Sequence, residues 1–200
     1  MLDVPRPDPG GTGGRDYQFE RPLTHHDDGR QTTTFVDLYR RGCFILEAKQ
    51  GANPVVEAKL FRLGSGPEQR RMVRHSPGWT QQMLRAKGQA EGYVRDLPGN
   101  HAAPPFLIAC DVGFCIDLYA DFSGTGRHYV QFPARTDFRI HLTDLTDPDV
   151  RTRLATIWTD PCSLDPSRQR TEVTREIATL LATLATTLEQ KARRTWWRRS

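Results

Sequence analysis

Asp37 and the triplet Glu47-Ala48-Lys49 are the residue types that metal-assisted phosphoryl chemistry uses. Two carboxylates a few ångströms apart hold a hard divalent cation such as Mg²⁺. The cation neutralises charge on a phosphate and acidifies a bound water. A neighbouring lysine orients that water or stabilises the transition state. Solvated charges on an edge hairpin produce the same short motif by chance. This one differs in its company: Phe44, Ile45, Leu46 and Ala48 alternate with the charges in a strand that reads as buried.

The geometry turns on a hairpin loop. Side chains alternate along a strand, so Glu47 and Lys49 share a face. A two-residue turn at Arg41-Gly42 would pair residues whose numbers sum to an odd total, putting Asp37 on the opposite face. A three-residue loop ending in Gly42 makes the total even and brings Asp37 round to Glu47 and Lys49. Glycine in such a loop is what a G1 bulge requires, so the sequence predicts the clustered arrangement.

Gln89-x₃-Tyr93 lies on a helix after these strands, and the spacing puts both residues on one side of it. Gln89 is expected to support the carboxylates from that helix, whereas Tyr93 taken alone reads as a core residue. Strand, strand, helix carrying Asp, ExK and QxxxY in that order resembles nucleases of the PD-(D/E)XK class.

Other candidates carry less. Asp111, Asp117 and Asp121 sit where strand ends routinely hold acids. Gly124-Thr-Gly126 is too short for a phosphate or S-adenosylmethionine loop, and no helix follows it. The adjacent His25-His26 falls in a turn with Asp27-Asp28-Gly29, and neighbouring side chains on extended chain point apart. Trp196-Trp197 between arginines could stack on bases, but an exposed chain end explains it more simply.

The elements that position these residues follow from periodicity. Residues 1–16 are rich in Pro, Gly and Asp and read as a loop or disordered lead-in. Strands are expected at 17–23, 32–39 and 43–49, then an irregular surface excursion from Gly51 to Pro77. Trp79, Met83, Ala86, Ala90, Tyr93, Val94 and Leu97 recur at helical spacing, closed by Pro98-Gly99. Strands follow at 106–110 and 114–119, the first apolar throughout as a central strand would be. Short pairing segments are expected at 129–132 and 138–142. A second helix opens at Asp147-Pro148, and a third from about Thr171 carries Val173, Ile177, Leu180, Leu181, Leu184 and Leu188 on one stripe. The fold class is therefore α/β: a mixed-sheet core with a flanking helix over 17–145, then the helices of a spacer over 146–200.

With 200 residues, 37% hydrophobic and 26% charged, the chain is long and apolar enough for one water-soluble core with an appendage. The apolar runs fall far short of the ~20 residues a membrane span needs, and no secretory signal opens the chain. The four cysteines form no CxxC pair and read as reduced thiols of a cytoplasmic protein. A net charge of +4 suits a polyanionic partner, but five basic residues and no acid between Lys191 and Ser200 account for the excess.

Longer blocks carry a specific resemblance. Phe35 to Gly51, Pro104 to Gly113, Ile116 to Gly124 and Ile157 to Pro161 are similar, in order, to the nuclease region of the MmeI-like fused restriction–modification enzymes. The similarity covers about Asp3 to Glu189. It implies a prokaryotic, Mg²⁺-dependent endonuclease domain with a restriction-endonuclease-like core that acts on double-stranded DNA. Its metal-binding acids fall on Asp37 and Glu47 and its catalytic lysine on Lys49. In the family an S-adenosylmethionine-dependent adenine methyltransferase and a target-recognition domain follow the spacer. Three departures stand against this. A helical segment expected before Pro5, which supplies an acid in related nucleases, is missing. No Asn-Pro-Pro-Tyr-type methylation motif is present. Lys191 to Ser200 no longer resembles the family, as in a truncated or frame-shifted gene. The rival reading is an inactive remnant that at most binds DNA or a partner.

Overall fold

The computed structural model describes residues 16–27, 30–52 and 72–196. It has two compact units, Met1–Pro161 and Cys162–Ser200. The first is built on a mixed sheet of seven strands. These are β1 (Tyr17–Asp27), β2 (Arg30–Arg40), β3 (Phe44–Lys49), β4 (Phe106–Asp111), β5 (Cys115–Ala120), β6 (Val130–Gln131) and β7 (Arg139–His141). Strands β1 to β6 neighbour one another in sequence order, and β7 pairs with β5. All pairs are antiparallel except β3 with β4. A parallel pair needs a crossover of a dozen or more residues. The helix α1 (Pro77–Arg95) supplies it.

Helix α1 starts where the sequence predicts. Ser76 caps it by accepting the Trp79 N–H at 3.1 Å, and Pro77 occupies the first position, where its missing N–H costs nothing. Its stripe of Trp79, Met83, Ala86 and Ala90 is buried with Ile45, Leu107 and Ala109 of the sheet. Phe44 and Phe106 take the opposite parity and so the opposite face. There Phe44 meets Trp158 of α2 (Pro148–Thr159) at 4.4 Å between ring centroids, and Phe106 meets Phe122 and Phe132. Covered on both faces and paired on both edges, β3 and β4 are apolar runs for a physical reason.

Some expectations shift. β1 runs on to Asp27, so His25 and His26 lie in the strand rather than in a turn. Asp27 pairs with Arg30, and the turn expected at Asp28-Gly29 lies outside the described residues. Most of the excursion after Gly51 also lies outside them; its two ends meet at a bridge between Ala52 and Val73. The first unit extends to Pro161 and so includes α2. Contacts distant in sequence hold α2 to the sheet: the Trp158 indole donates to the Tyr17 hydroxyl at 2.8 Å, and the Cys43 thiol to the Trp158 carbonyl.

Among the described residues the second unit carries one long helix, α3 (Pro166–Trp196), which starts earlier than its apolar stripe suggests. Val173, Ile177, Leu180, Leu181, Leu184 and Leu188 are exposed along it. Among the described residues no helix is long and apolar enough to cross a membrane.

Candidate metal centre

The β2–β3 hairpin sets the site. Leu38 pairs with Leu46, Tyr39 with Ile45 and Arg40 with Phe44, an even register that places Asp37 opposite Glu47 when continued by one step. The loop is Arg41-Gly42-Cys43, one residue later than the expected Arg40-Arg41-Gly42, and the parity is the same. The Cys43 N–H donates to the Arg40 carbonyl at 3.1 Å, closing a four-residue turn with Gly42 third. Gly42 has φ +69°, the sign that a type II turn requires at that position.

Asp37 pairs in neither ladder. The β2–β3 pairing stops at Leu38, and that between β1 and β2 passes from Phe19–Leu38 to Arg21–Val36. The residue facing Asp37 across the gap is Glu20, held at φ +45° in the left-handed region that non-glycine residues avoid. Such local departures from ladder geometry re-aim side chains and recur beside active sites. Here the released Asp37 carboxylate accepts the Ala48 N–H through Oδ2 at 2.6 Å, which fixes it against the backbone between Glu47 and Lys49.

Glu47 is 4% exposed. The Lys49 ammonium donates to its Oε1 at 2.6 Å, while Oε2 is buried without a hydrogen-bond partner. Burial raises the Glu47 pKa above the ordinary carboxylate value, and the nearby Asp37 charge adds to that; the Lys49 contact opposes it. From α1 the Tyr93 hydroxyl lies beside the same carboxylate, without satisfying Oε2. Burial and then the Glu47 and Asp37 charges push Tyr93 up to about 12.

Asp37, Glu47, Lys49 and Tyr93 are thus brought together. Gln89 is not: it is exposed, one turn before Tyr93, and hydrogen-bonds to none of them. Two residues four apart on a helix share a side only to within a helical wobble. Here the residue at the edge of the buried stripe meets the sheet and the other meets solvent.

The remaining acids are structural. Asp111 is wholly buried and saturated by the Arg74 guanidinium (3.0 Å to each oxygen), the Trp79 indole N–H (2.8 Å) and the Gly51 N–H (2.9 Å). Asp117 is held bidentately by Arg139 at 2.6 and 2.7 Å. Asp121 accepts from the backbone N–H groups of Ser123, Arg127 and His128, which hold its pKa down at about 2 against the opposing cost of burial.

Among the described residues no three or more His, Cys, Asp and Glu side chains converge on one point, which is unlike a closed zinc or calcium cage. Mg²⁺ asks for less: one or two carboxylates, with waters and phosphate oxygens completing the shell. A buried carboxylate oxygen with no donor, beside a second carboxylate, fits that requirement.

The family model described as MmeI, N-terminal domain, matches residues 2–191. The chain belongs to that family. It is a region of the MmeI-like restriction–modification enzymes, as the ordered blocks around Asp37, Glu47 and Lys49 lead one to expect. The match spans both compact units, so α3 belongs to the family region as much as the sheet does. No curated protein and no solved structure matches the chain.

Proposed function

We propose that the sheet unit is a Mg²⁺-dependent endonuclease domain that hydrolyses phosphodiester bonds of duplex DNA. The observation that carries this reading is the convergence of Asp37 and Glu47 from adjacent strands, with Glu47 Oε2 buried and unpartnered beside Lys49. Membership of a restriction–modification family supports it.

Asp37 and Glu47 would hold the cation. Bound Mg²⁺ supplies charge neutralisation at the scissile phosphate and a more acidic water. The Ala48 N–H fixes the Asp37 carboxylate, so little reorganisation is required of it. Lys49 carries its ammonium on the same strand face and donates hydrogen bonds to the attacking water or to the phosphoryl oxygens. The water oxygen would form a bond to phosphorus as the ester P–O bond breaks, the water giving up one proton to solvent and the departing oxygen taking one up from solvent. Tyr93, protonated throughout the neutral range, positions the Glu47 carboxylate.

Incubation of the chain with duplex DNA tests the reading. Cleavage is expected with Mg²⁺ or Mn²⁺, none with chelator, and none from Lys49→Ala, whose DNA affinity stays near wild type because one lysine adds little to a phosphate-binding surface. Chelator-resistant cleavage, or an undiminished Lys49→Ala variant, would place the chemistry elsewhere. Metal-indifferent DNA binding with no cleavage would favour an inactive remnant.

A further inference from the structure

The two oxygens of the buried Glu47 carboxylate stand differently. Oε1 accepts from the Lys49 ammonium at 2.6 Å, whereas Oε2 has no donor. With the Glu47 side chain 6% exposed and that of Lys49 22%, the pair is largely shielded from solvent. A carboxylate taken out of water needs a counter-charge, and Lys49 supplies it in the metal-free chain. The ammonium expected to meet the phosphate is thus already engaged. We propose that Lys49 is the internal counter-ion of Glu47 and a cation-controlled switch, held on Glu47 while no divalent cation is bound and released towards a DNA phosphate when one is.

Coulomb attraction decides the exchange. Glu47 attracts a divalent cation twice as strongly as an ammonium at equal distance, and the cation repels that ammonium. Burial weakens the screening that would soften the repulsion. Lys49 carries its charge on a flexible four-carbon stem, so the ammonium can leave while β3 stays in place. Asp37 is not free to follow, since the Ala48 N–H holds its Oδ2. A phosphate oxygen is then the acceptor that restores a charge-assisted hydrogen bond to Lys49. The consequence is an order of assembly, with the cation first and Lys49 on the phosphate second. The inference rests on the metal-site reading, but its test involves no cleavage of DNA.

Helix α1 carries a matching pair. Lys87 donates to Glu91 at 2.6 Å, and its side chain is also 22% exposed. It lies over the Tyr119 ring of β5, two strands along the sheet from the β3 that carries Glu47.

The measurement is the acylation rate of each lysine in the full chain by an amine-directed N-hydroxysuccinimide ester, with and without saturating Mg²⁺ at constant ionic strength. Peptide mass spectrometry resolves the lysines, which are Lys49, Lys59, Lys87 and Lys191. Lys49 should react faster with Mg²⁺ by about threefold or more, the factor that loss of even a modest ion pair implies. Lys87 should react at an unchanged rate. Glu47→Gln, which removes the charge that holds Lys49, should show the fast rate without Mg²⁺ and no further response to it. An unchanged or slower Lys49 rate in wild-type chain that takes up Mn²⁺ would overturn the switch and leave the metal site standing. Equal acceleration of Lys49 and Lys87, or a Glu47→Gln variant that keeps the slow rate or still responds, would overturn the switch as well. Absence of Mn²⁺ uptake would overturn the metal site and the switch together.

Discussion

Asp37 of β2 and Ala48 of β3 are joined by a side-chain-to-backbone hydrogen bond of 2.6 Å, just past the point where the two strands stop pairing. The bond makes the position of one carboxylate a property of the backbone that carries the other.

Asp37→Asn retains an acceptor for the Ala48 N–H and removes the charge, so it should fold nearly as well as wild type while losing divalent-metal affinity. Asp37→Ala leaves that N–H without its partner and should cost about 1 kcal/mol as well. Denaturant titration of the two variants beside wild type separates the effects: equal stability of the two would show that the bond contributes nothing to the fold.

Glu47 predicts a reversal on adding metal. Its folded pKa is raised above 4.5, chiefly by burial. Its protonated form is therefore favoured in the fold, and that stabilisation is present below the ordinary carboxylate value and lost as pH rises through the raised one. At neutral pH the metal-free Glu47→Gln variant should therefore be at least as stable as wild type. Saturating Mg²⁺ should raise the wild-type Tm, with about 2.7 kcal/mol expected at a hundredfold excess over Kd, and leave the variant unmoved. Thermal melts with and without Mg²⁺ decide it; an equal shift in both proteins would mean the cation binds elsewhere.

Asp111 should behave in the opposite way. Asp111→Ala leaves the Arg74 guanidinium, the Trp79 indole N–H and the Gly51 N–H without their shared acceptor. Breaking such a buried pair costs about 3–5 kcal/mol. A Cβ at Gly51 would lie 2.5 Å from Asp111 Oδ2, so Gly51→Ala should destabilise by the same route. Both are folding defects, and whatever folded fraction remains should still bind metal. A stable Asp111→Ala protein with no metal affinity would make Asp111 a ligand and not a clamp.

The loop after β5 supplies a pH signature. Asp121 is held at about 2 against an ordinary 3.8, with burial opposed by hydrogen bonds from Ser123, His128 and Arg127. Its stabilisation is present above the ordinary value and lost as pH falls from about 3.8 towards 2. Asp121→Asn should therefore be less stable than wild type at neutral pH, with the gap closing across that acid window. A gap independent of pH would mean that the hydrogen bonds do not depend on the charge.

How far the site could be read from sequence follows from the range of the interactions. Asp37, Glu47 and Lys49 were legible because strand parity and one glycine turn decide their faces locally, and a loop one residue later preserves that parity. The break in pairing at Asp37 was not, since it arises from Glu20 in a third segment. Gln89 and Tyr93 were indistinguishable by spacing; only the way α1 lies across the sheet turns Tyr93 towards Glu47 and leaves Gln89 in solvent. Asp111 gave no sign of its clamp, because Gly51, Arg74 and Trp79 lie 32 to 60 residues away from it. The packing of α2 on the sheet depends likewise on Trp158 meeting Phe44 and Tyr17 across more than a hundred residues.

The most direct test of the metal site is a Mn²⁺ titration of the wild-type chain, Asp37→Asn and Glu47→Gln, followed by the paramagnetic signal of the free ion. Wild type should take up the ion at neutral pH, and each variant should lose most of that affinity while keeping its fold. Uptake by both variants equal to wild type would contradict the claim that Asp37 and Glu47 form the metal site.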